Sequence, residues 1–153
     1  MVNWLSREQQ RAWRSFLRGQ AIVLEAVNQD LSSDSGLTLN EYEVLVRLSE
    51  AKNHKLRMSN LAQNLVNSRS RLTHTVKRLE KSGYVERQPC PEDRRGIVCI
   101  LTDAGFSKLK KSAPEHVESV REHLVSHLSD EEFAEFGRLW EKLLGDEPVF
   151  PEE

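Results

Sequence analysis

Cysteine, proline and glycine are all scarce in this 153-residue chain, which contains two, five and seven of them. The two cysteines, Cys90 and Cys99, form no Cys-x-x-Cys pair, and no cysteine–histidine cluster has the spacing of zinc ligands. These absences disfavour a disulfide-stapled domain and a zinc fold. No glycine-rich phosphate loop, nucleophile motif or acid–base pair is visible either, so we expect a non-enzymatic protein without metal or cofactor.

Long apolar stretches are missing as well. No segment approaches the roughly 18 consecutive apolar residues that cross a membrane. Residues 1–7 also do not have the basic and then apolar layout of a secretory signal, so we expect a cytoplasmic protein. Hydrophobic residues make up 38% of the chain, which is enough for one modest core, and charged residues 30%, which is below the level of a disordered chain.

Charge is distributed unevenly along the chain. The net charge is −2, yet residues 52–95 hold eleven basic and four acidic residues, a local charge of +7 against −9 for the remainder. A basic module inside an acidic protein is typical of a nucleic-acid-binding surface. A solvated basic patch without a partner would give the same pattern, so charge alone leaves both interpretations open.

Apolar periodicity and capping residues predict six helices and one β-hairpin, with N-terminal capping boxes formed by Ser6 with Gln9 and by Thr38 with Glu41. We expect helices over about residues 6–30, from Thr38 to about 51, over 58–65, 69–81 and 103–127, and from Ser129 onwards. Residues 32–36 are expected to form a loop, and Pro114 to kink or break the fifth helix. Strands 84–88 and 97–101 are expected to flank a turn over 89–96, and the acidic tail to be poorly ordered. Two helices, a short turn and a hairpin predict a mainly α, winged helix-turn-helix fold.

The fourth predicted helix separates an apolar face from a face of hydrogen-bond donors and cations. Leu72, Val76 and Leu79 recur at core spacing. The outward face and its flanks carry Ser70, Arg71, Thr73, His74, Lys77, Arg78 and Lys81, and the one carboxylate, Glu80, lies at the margin. A solvated helix usually mixes acids into such a face. The composition therefore favours insertion into the major groove of a duplex.

The predicted hairpin has a basic tip. Arg94 and Arg95 could enter the narrow minor groove, where the negative potential favours arginine. Asp93 would repel phosphate if it were unpaired, or could orient one arginine through an ion pair. An ordinary charged β-turn is an equally good interpretation of these residues taken alone.

Residues 93–105, Asp-Arg-Arg-Gly-Ile-Val-Cys-Ile-Leu-Thr-Asp-Ala-Gly, resemble the wing signature of the MarR family. That signature is Asp-x-Arg followed by an apolar strand and Leu-Thr-x-x-Gly. Upstream, Leu61-Ala62, Ser68-Arg69-Ser70, Leu79-Glu80-Lys81, Gly83 and Val85 are similar to the family's third helix, recognition helix and first wing strand. The resemblance covers about residues 38–106.

The resemblance implies a homodimer that binds a near-palindromic operator in double-stranded DNA. It implies a dimerisation helix at 1–35, a winged helix-turn-helix domain at 36–103, dimerisation helices at 104–145 and a disordered acidic tail at 146–153. Arg95 would lie at the minor groove with Asp93 holding it. The expected DNA contacts are Ser68, Arg69, Ser70, Arg71, Thr73, His74, Lys77, Arg78, Asp93, Arg94 and Arg95. Family members are often repressors released by a small, commonly phenolic, effector.

Other residues allow two interpretations each. Trp13, Phe16 and Tyr42 could line an effector cleft, or belong to the core and the dimer interface. His116, His123 and His127 could bind a metal on one helical face, or form its polar side. Cys90, near Arg87 and Arg94, could sense oxidants or be inert. The rival function is a winged-helix module that binds an acidic protein instead of DNA.

Overall fold

The computed structural model describes residues 1–65 and 69–145, except the side chains of Asn64 and Arg69. The expected turn at 66–68, with Ser68, and the tail at 146–153 lie outside the described residues. The described residues form six α-helices and three strands, which confirms the mainly α winged-helix prediction. In chain order they are α1 (Arg7–Ser35), α2 (Leu39–Glu50), β1 (Lys55–Arg57), α3 (Met58–Asn64), α4 (Arg69–Lys81), β2 (Val85–Cys90), β3 (Asp93–Leu101), α5 (Asp103–His123) and α6 (Asp130–Leu144).

Helix α1 is longer than its predicted extent. It begins with the expected capping box between Ser6 and Gln9, but it continues through the expected loop to Ser35. The hydroxyl of Ser35 donates to the Leu31 carbonyl at 2.7 Å, so a residue typical of loops is satisfied within the helix. Gly36 ends the helix in the left-handed region, at φ 71°. The helix therefore stops at the glycine, and the prediction of a loop from residue 32 was wrong.

The wing is part of a three-stranded antiparallel sheet in the order β1–β3–β2. The prediction missed β1, because three residues are too few to show an alternating pattern. The expected turn over residues 89–96 was also too long. Strands β2 and β3 remain paired up to Cys90 and Asp93, with a register shift after Pro89. Proline is tolerated at such an irregularity because its missing N–H removes no regular ladder bond.

Helix α5 continues unbroken through Pro114 and ends at His123, before a 3-10 turn at Val125–His127. A break at Pro114 and a helix reaching residue 127 were therefore wrong. His123 and His127 lie in separate elements, so the expected shared histidine face does not form. The imidazole of His123 instead lies 2.8 Å from Asp30 of α1. Residues 1–65 and 69–145 contain no group of three or more His, Cys, Asp or Glu side chains that could hold a metal.

The core lies where α2, α3, α4 and the sheet meet. Its most deeply buried side chains are Leu31, Val44, Leu45, Leu48, Leu61, Leu72, Val76, Leu79, Val85 and Cys99. The three apolar residues predicted for the inner face of the fourth helix are among them. No helix within the described residues is long and apolar enough to cross a membrane.

Thr102 joins the wing to α5 through three hydrogen bonds. Its hydroxyl accepts from the Gly105 backbone N–H at 3.0 Å and donates to the Gly83 carbonyl at 2.7 Å, and its own N–H donates to the Tyr84 carbonyl at 3.1 Å.

We expect Thr102→Ala to lower the free energy of unfolding by about 1–2 kcal/mol, because it removes a helix cap and a second bond. Denaturant unfolding measures this. Thr102→Ser keeps the hydroxyl and should retain most of the stability; an equal loss in both variants would contradict the assignment.

Candidate nucleic-acid interface

Helix α4 has one face in the core and one face in solvent, as predicted. Leu72, Val76 and Leu79 are 2%, 0% and 1% exposed. The exposed side chains on the other face are Ser70, Arg71, His74, Lys77, Arg78 and Lys81, with Thr73 half-buried beside them. This arrangement presents hydroxyl, imidazole, ammonium and guanidinium groups side by side. It can hydrogen-bond base edges and bind phosphate oxygens.

Glu80, the carboxylate at the margin of α4, is turned towards β2. Its Oε2 lies 2.7 Å from an Arg87 guanidinium nitrogen, and its Oε1 accepts from the Arg87 backbone N–H at 3.3 Å. The hydrogen bonds from Arg87 lower the pKa of Glu80 below its ordinary value. The outward face of α4 therefore remains positive, because the nearest acid is ionised and paired with Arg87.

The wing tip is held by an arginine that sequence reasoning did not identify. Asp93 accepts the Arg95 backbone N–H at 3.0 Å, while its other oxygen lies 3.7 Å from Arg57, at the end of β1. Arg57 also approaches Glu92 at 4.0 Å. Asp93 thus shapes the turn at Arg95 and ties it to the protein body. Nothing in the sequence pattern indicated this long-range pair.

Arg94 and Arg95 lie at the tip of the wing, at the start of β3. Both residues are exposed. No carboxylate in residues 1–65 or 69–145 forms an ion pair with either side chain. The expected pairing of Asp93 with an arginine of the turn is therefore replaced by pairing with Arg57, which leaves the two cations at the tip available to an anionic partner.

The wing and α4 form the walls of one groove. A cavity of about 340 Å³ is lined by Thr73 of α4, by Arg95 and Ile97 of the wing, and by Arg57 and Met58 at the start of α3. Thr73, on the flank of the exposed face of α4, and Arg95 of the wing therefore lie on a common surface. Such a surface can contact a major groove and the adjacent minor groove of the same duplex.

Arg78 differs from the other cations of α4. Its Nε lies 3.1 Å from Oε1 of Glu41 in an ion pair, in which the Arg78 side chain is 57% exposed and the Glu41 side chain only 5%. Arg78 is therefore anchored to α2. Glu41 was predicted only as the third residue of a capping box, and no spacing in the sequence indicated its contact with α4.

The aromatic residues proposed for an effector cleft fall into two clusters within the protomer. Trp13 packs on Phe16, and Phe16 packs on Trp140 of α6, with ring centroids 5.6 and 5.3 Å apart. Tyr42 is buried and lies 4.2 Å from the His116 ring. Burial raises the pKa of Tyr42 and lowers that of His116, since both charged forms are poorly solvated there.

Both cysteines are buried, so Cys90 does not lie in the exposed charged turn where we expected it. Cys90 ends β2 and is 7% exposed, while Cys99 of β3 is fully buried. Burial raises the pKa of Cys99 to about 12.

We expect Cys99 in the folded protein to resist iodoacetamide at pH 8, because the thiolate is the nucleophile. Peptide mass mapping would show its alkylation only after unfolding; rapid labelling of the native protein would contradict this.

Comparison with known proteins agrees with this geometry. Residues 37–97 match the model of the MarR family. The transcriptional repressor MprA of Escherichia coli K12 is 30% identical over 125 residues, which are 82% of this chain and 70% of MprA. Two MarR family regulators of Streptomyces coelicolor have solved structures and are each 38% identical. AbsC gives a TM-score of 0.84 over 93% of this chain and 95% of its own, and Sco3205, solved in complex with DNA, gives 0.87 over 95% of both. Shared sequence, fold and wing signature together place this chain in the MarR family.

Proposed function

We propose that this protein is a sequence-specific regulator of transcription that binds double-stranded DNA as a homodimer and acts as a repressor. The observation that carries the proposal is the groove shared by Thr73 of α4 and Arg95 of the wing. The Sco3205 structure in complex with DNA and the name of MprA as a repressor support it. This is a binding function, and it requires no catalytic group.

The proposed contacts divide into base readout and backbone binding. Ser70, Thr73 and His74 lie in the first half of α4, the part of a recognition helix that reaches base edges. Arg71, Lys77 and Arg94 are placed to bind phosphates, and Arg95 to enter the minor groove, with Asp93 shaping the turn. Arg69, the first residue of α4, and Arg78 are further proposed contacts, as is Ser68, which lies outside the described residues.

Exposed apolar side chains on the terminal helices support the homodimer. Trp13, Leu17 and Leu24 of α1 are 52%, 42% and 52% exposed, and Leu139 and Leu143 of α6 are 47% and 76% exposed. Large apolar side chains in such numbers mark a surface that a partner covers. A two-fold dimer would place two α4 helices about 34 Å apart, one turn of the duplex, which requires near-palindromic half-sites.

We further propose a small phenolic effector that releases the DNA. The aromatic residues Trp13, Phe16 and Tyr42 are its proposed contacts. Phe16 and Tyr42 both pack against residues of the C-terminal helices, namely Trp140 and His116. A ligand at either cluster would therefore change how these helices pack, and a dimer would transmit that change to α4.

The direct test is selection of bound duplexes from random DNA, followed by gel-shift titration of the selected and a scrambled sequence. We expect retention that falls steeply with salt and a preference for the selected sequence, since phosphates supply affinity and base edges supply specificity. Failure to enrich any sequence, together with salt-insensitive retention, would favour the rival protein-interaction module. Candidate phenols added to the same titration test release.

His74 should determine sequence preference more than affinity. We expect His74→Ala to reduce affinity for the selected duplex by about tenfold and affinity for random DNA by much less, since a base contact contributes roughly 1–3 kcal/mol of discrimination. Lys77→Ala is the matched control on the next outward position and should weaken both duplexes alike. Equal losses on both duplexes for His74→Ala would remove its readout role.

A further inference from the structure

Hydrogen bonds link the first turn of α2 to α1, and α1 to α5. The side-chain oxygen of Asn28 in α1 accepts the Leu39 backbone N–H at 2.9 Å, so α1 is tied to this turn. Lys108 of α5 donates to the carbonyl of Ser35 at the end of α1. The first turn of α2 is thus bonded to α1, and α1 is bonded to α5. Of the described helices, α1 and α5 pack most extensively on each other.

Glu41 connects this turn to α4, and both of its carboxylate oxygens are used. Oε2 accepts the Thr38 backbone N–H at 2.8 Å, which completes the N-terminal capping box of α2. Oε1 lies 3.1 Å from Nε of Arg78 and forms an ion pair with it. The Glu41 residue is 4% exposed, and a carboxylate at such depth is tolerated only where a cation or hydrogen-bond donors compensate its charge. Arg78 is its one ion-pair partner within residues 1–65 and 69–145.

Because Arg78 lies far along α4 from the proposed base-reading residues, a small tilt of the helix at Arg78 would displace those residues. Arg78 lies near the C-terminal end of the helix, whereas the proposed base-reading residues Ser70 and His74 lie towards its N-terminal end. Eight residues separate Arg78 from Ser70, about 12 Å along the helix axis. A tilt of about 10° at the Arg78 end would move the reading end by roughly 2 Å, enough to disrupt hydrogen bonds to bases.

We propose that Glu41 is a positioning residue for DNA binding, which acts through Arg78 to set the angle of α4 against α1 and α5. This inference depends on the proposed function, since it concerns the spacing of two α4 helices over two half-sites. The ion pair between the buried Glu41 and the more exposed Arg78 restricts that spacing, and the protein consequently distinguishes operators whose half-sites are one base pair closer or farther apart. Arg78 contributes to affinity through this tie and not through a base.

The test compares duplexes that carry the selected half-sites at the preferred spacing and at one base pair more or less. Glu41→Gln keeps the size of the side chain and an acceptor for Thr38 but loses the charge that holds Arg78. We expect it to bind the preferred duplex about tenfold more weakly and to discriminate much less among the three spacings. Arg78→Lys, which keeps a cation but not the Nε geometry, should have an intermediate effect. Arg78→Gln, alone and combined with Glu41→Gln, completes a double-mutant cycle.

Two readouts separate positioning from a purely structural role. In the double-mutant cycle, Glu41→Gln should reduce DNA affinity little further once Arg78 has been replaced. Thermal unfolding of each variant shows whether a loss of affinity reflects a loss of folded protein. Glu50→Gln is the matched control, since it removes a carboxylate from the other end of α2 that pairs with Arg47 at 3.9 Å, and it should leave spacing discrimination unchanged. Additive effects in the cycle, or undiminished spacing discrimination by Glu41→Gln, would overturn the inference. If the unmodified protein did not bind DNA at all, the proposed function itself would be overturned.

Discussion

Gly105→Ala is expected to destabilise the protein by about 3 kcal/mol or more, and to lower its melting temperature by roughly 10 °C. A Cβ atom at this position would lie 2.1 Å from the carbonyl oxygen of Tyr84 and 2.8 Å from a methyl carbon of Leu101. The closer neighbour is backbone and cannot rotate away. Relief therefore requires α5 to move off the start of the wing, which breaks the close packing of a buried junction.

Thermal and denaturant unfolding of the purified variant measure this loss. Gly19→Ala is the matched control, because Gly19 lies inside α1 and a Cβ there would meet nothing within 4 Å in the protomer. We expect Gly19→Ala to be neutral or stabilising by up to about 1 kcal/mol, the difference in helix propensity. Near-equal stability of Gly105→Ala and the unmodified protein would mean that α5 does not approach Tyr84 as closely as described.

DNA affinity should fall steeply with salt, and the wing should account for part of that dependence. For a protein that makes about 6–10 phosphate contacts, raising salt from 50 to 200 mM costs about 10³–10⁵ in affinity. Arg94 and Arg95 are exposed, and neither forms an ion pair with a carboxylate of the described residues, so both can displace counterions. We expect the double change Arg94→Ala and Arg95→Ala to weaken binding to all sequences and to reduce the slope of log K against log salt by about 2.

The control for this change removes two other cations. Lys110 and Lys111 of α5 are exposed, and Lys110 lies over the Phe106 ring rather than beside the groove. The double change Lys110→Ala and Lys111→Ala alters the net charge of the protein by the same amount and should leave the slope nearly unchanged. Equal slopes for both double variants would show that the wing arginines contribute only through overall charge.

Local patterns in the sequence determined most of the helices and the character of α4. The capping boxes at Ser6 and Thr38 formed as predicted, because each joins residues only three apart. The inner stripe of Leu72, Val76 and Leu79 followed from the helical repeat alone. The family itself was recognisable from the wing signature, since that signature combines a tight turn, a buried strand and a helix cap within thirteen residues.

Tertiary structure alone decided which charges pair and where the short elements lie. Strand β1 exists because Lys55–Arg57 can bond to β3, not because three residues favour a strand. Arg57 meets Asp93, and Glu41 meets Arg78, across 36 and 37 positions of the chain respectively. A helical or strand repeat describes neighbours only a few residues apart, so it contains no information about which distant side chain will neutralise a given charge. The donor face was therefore visible in the sequence, whereas the ion pairs beside it depend on the folded chain.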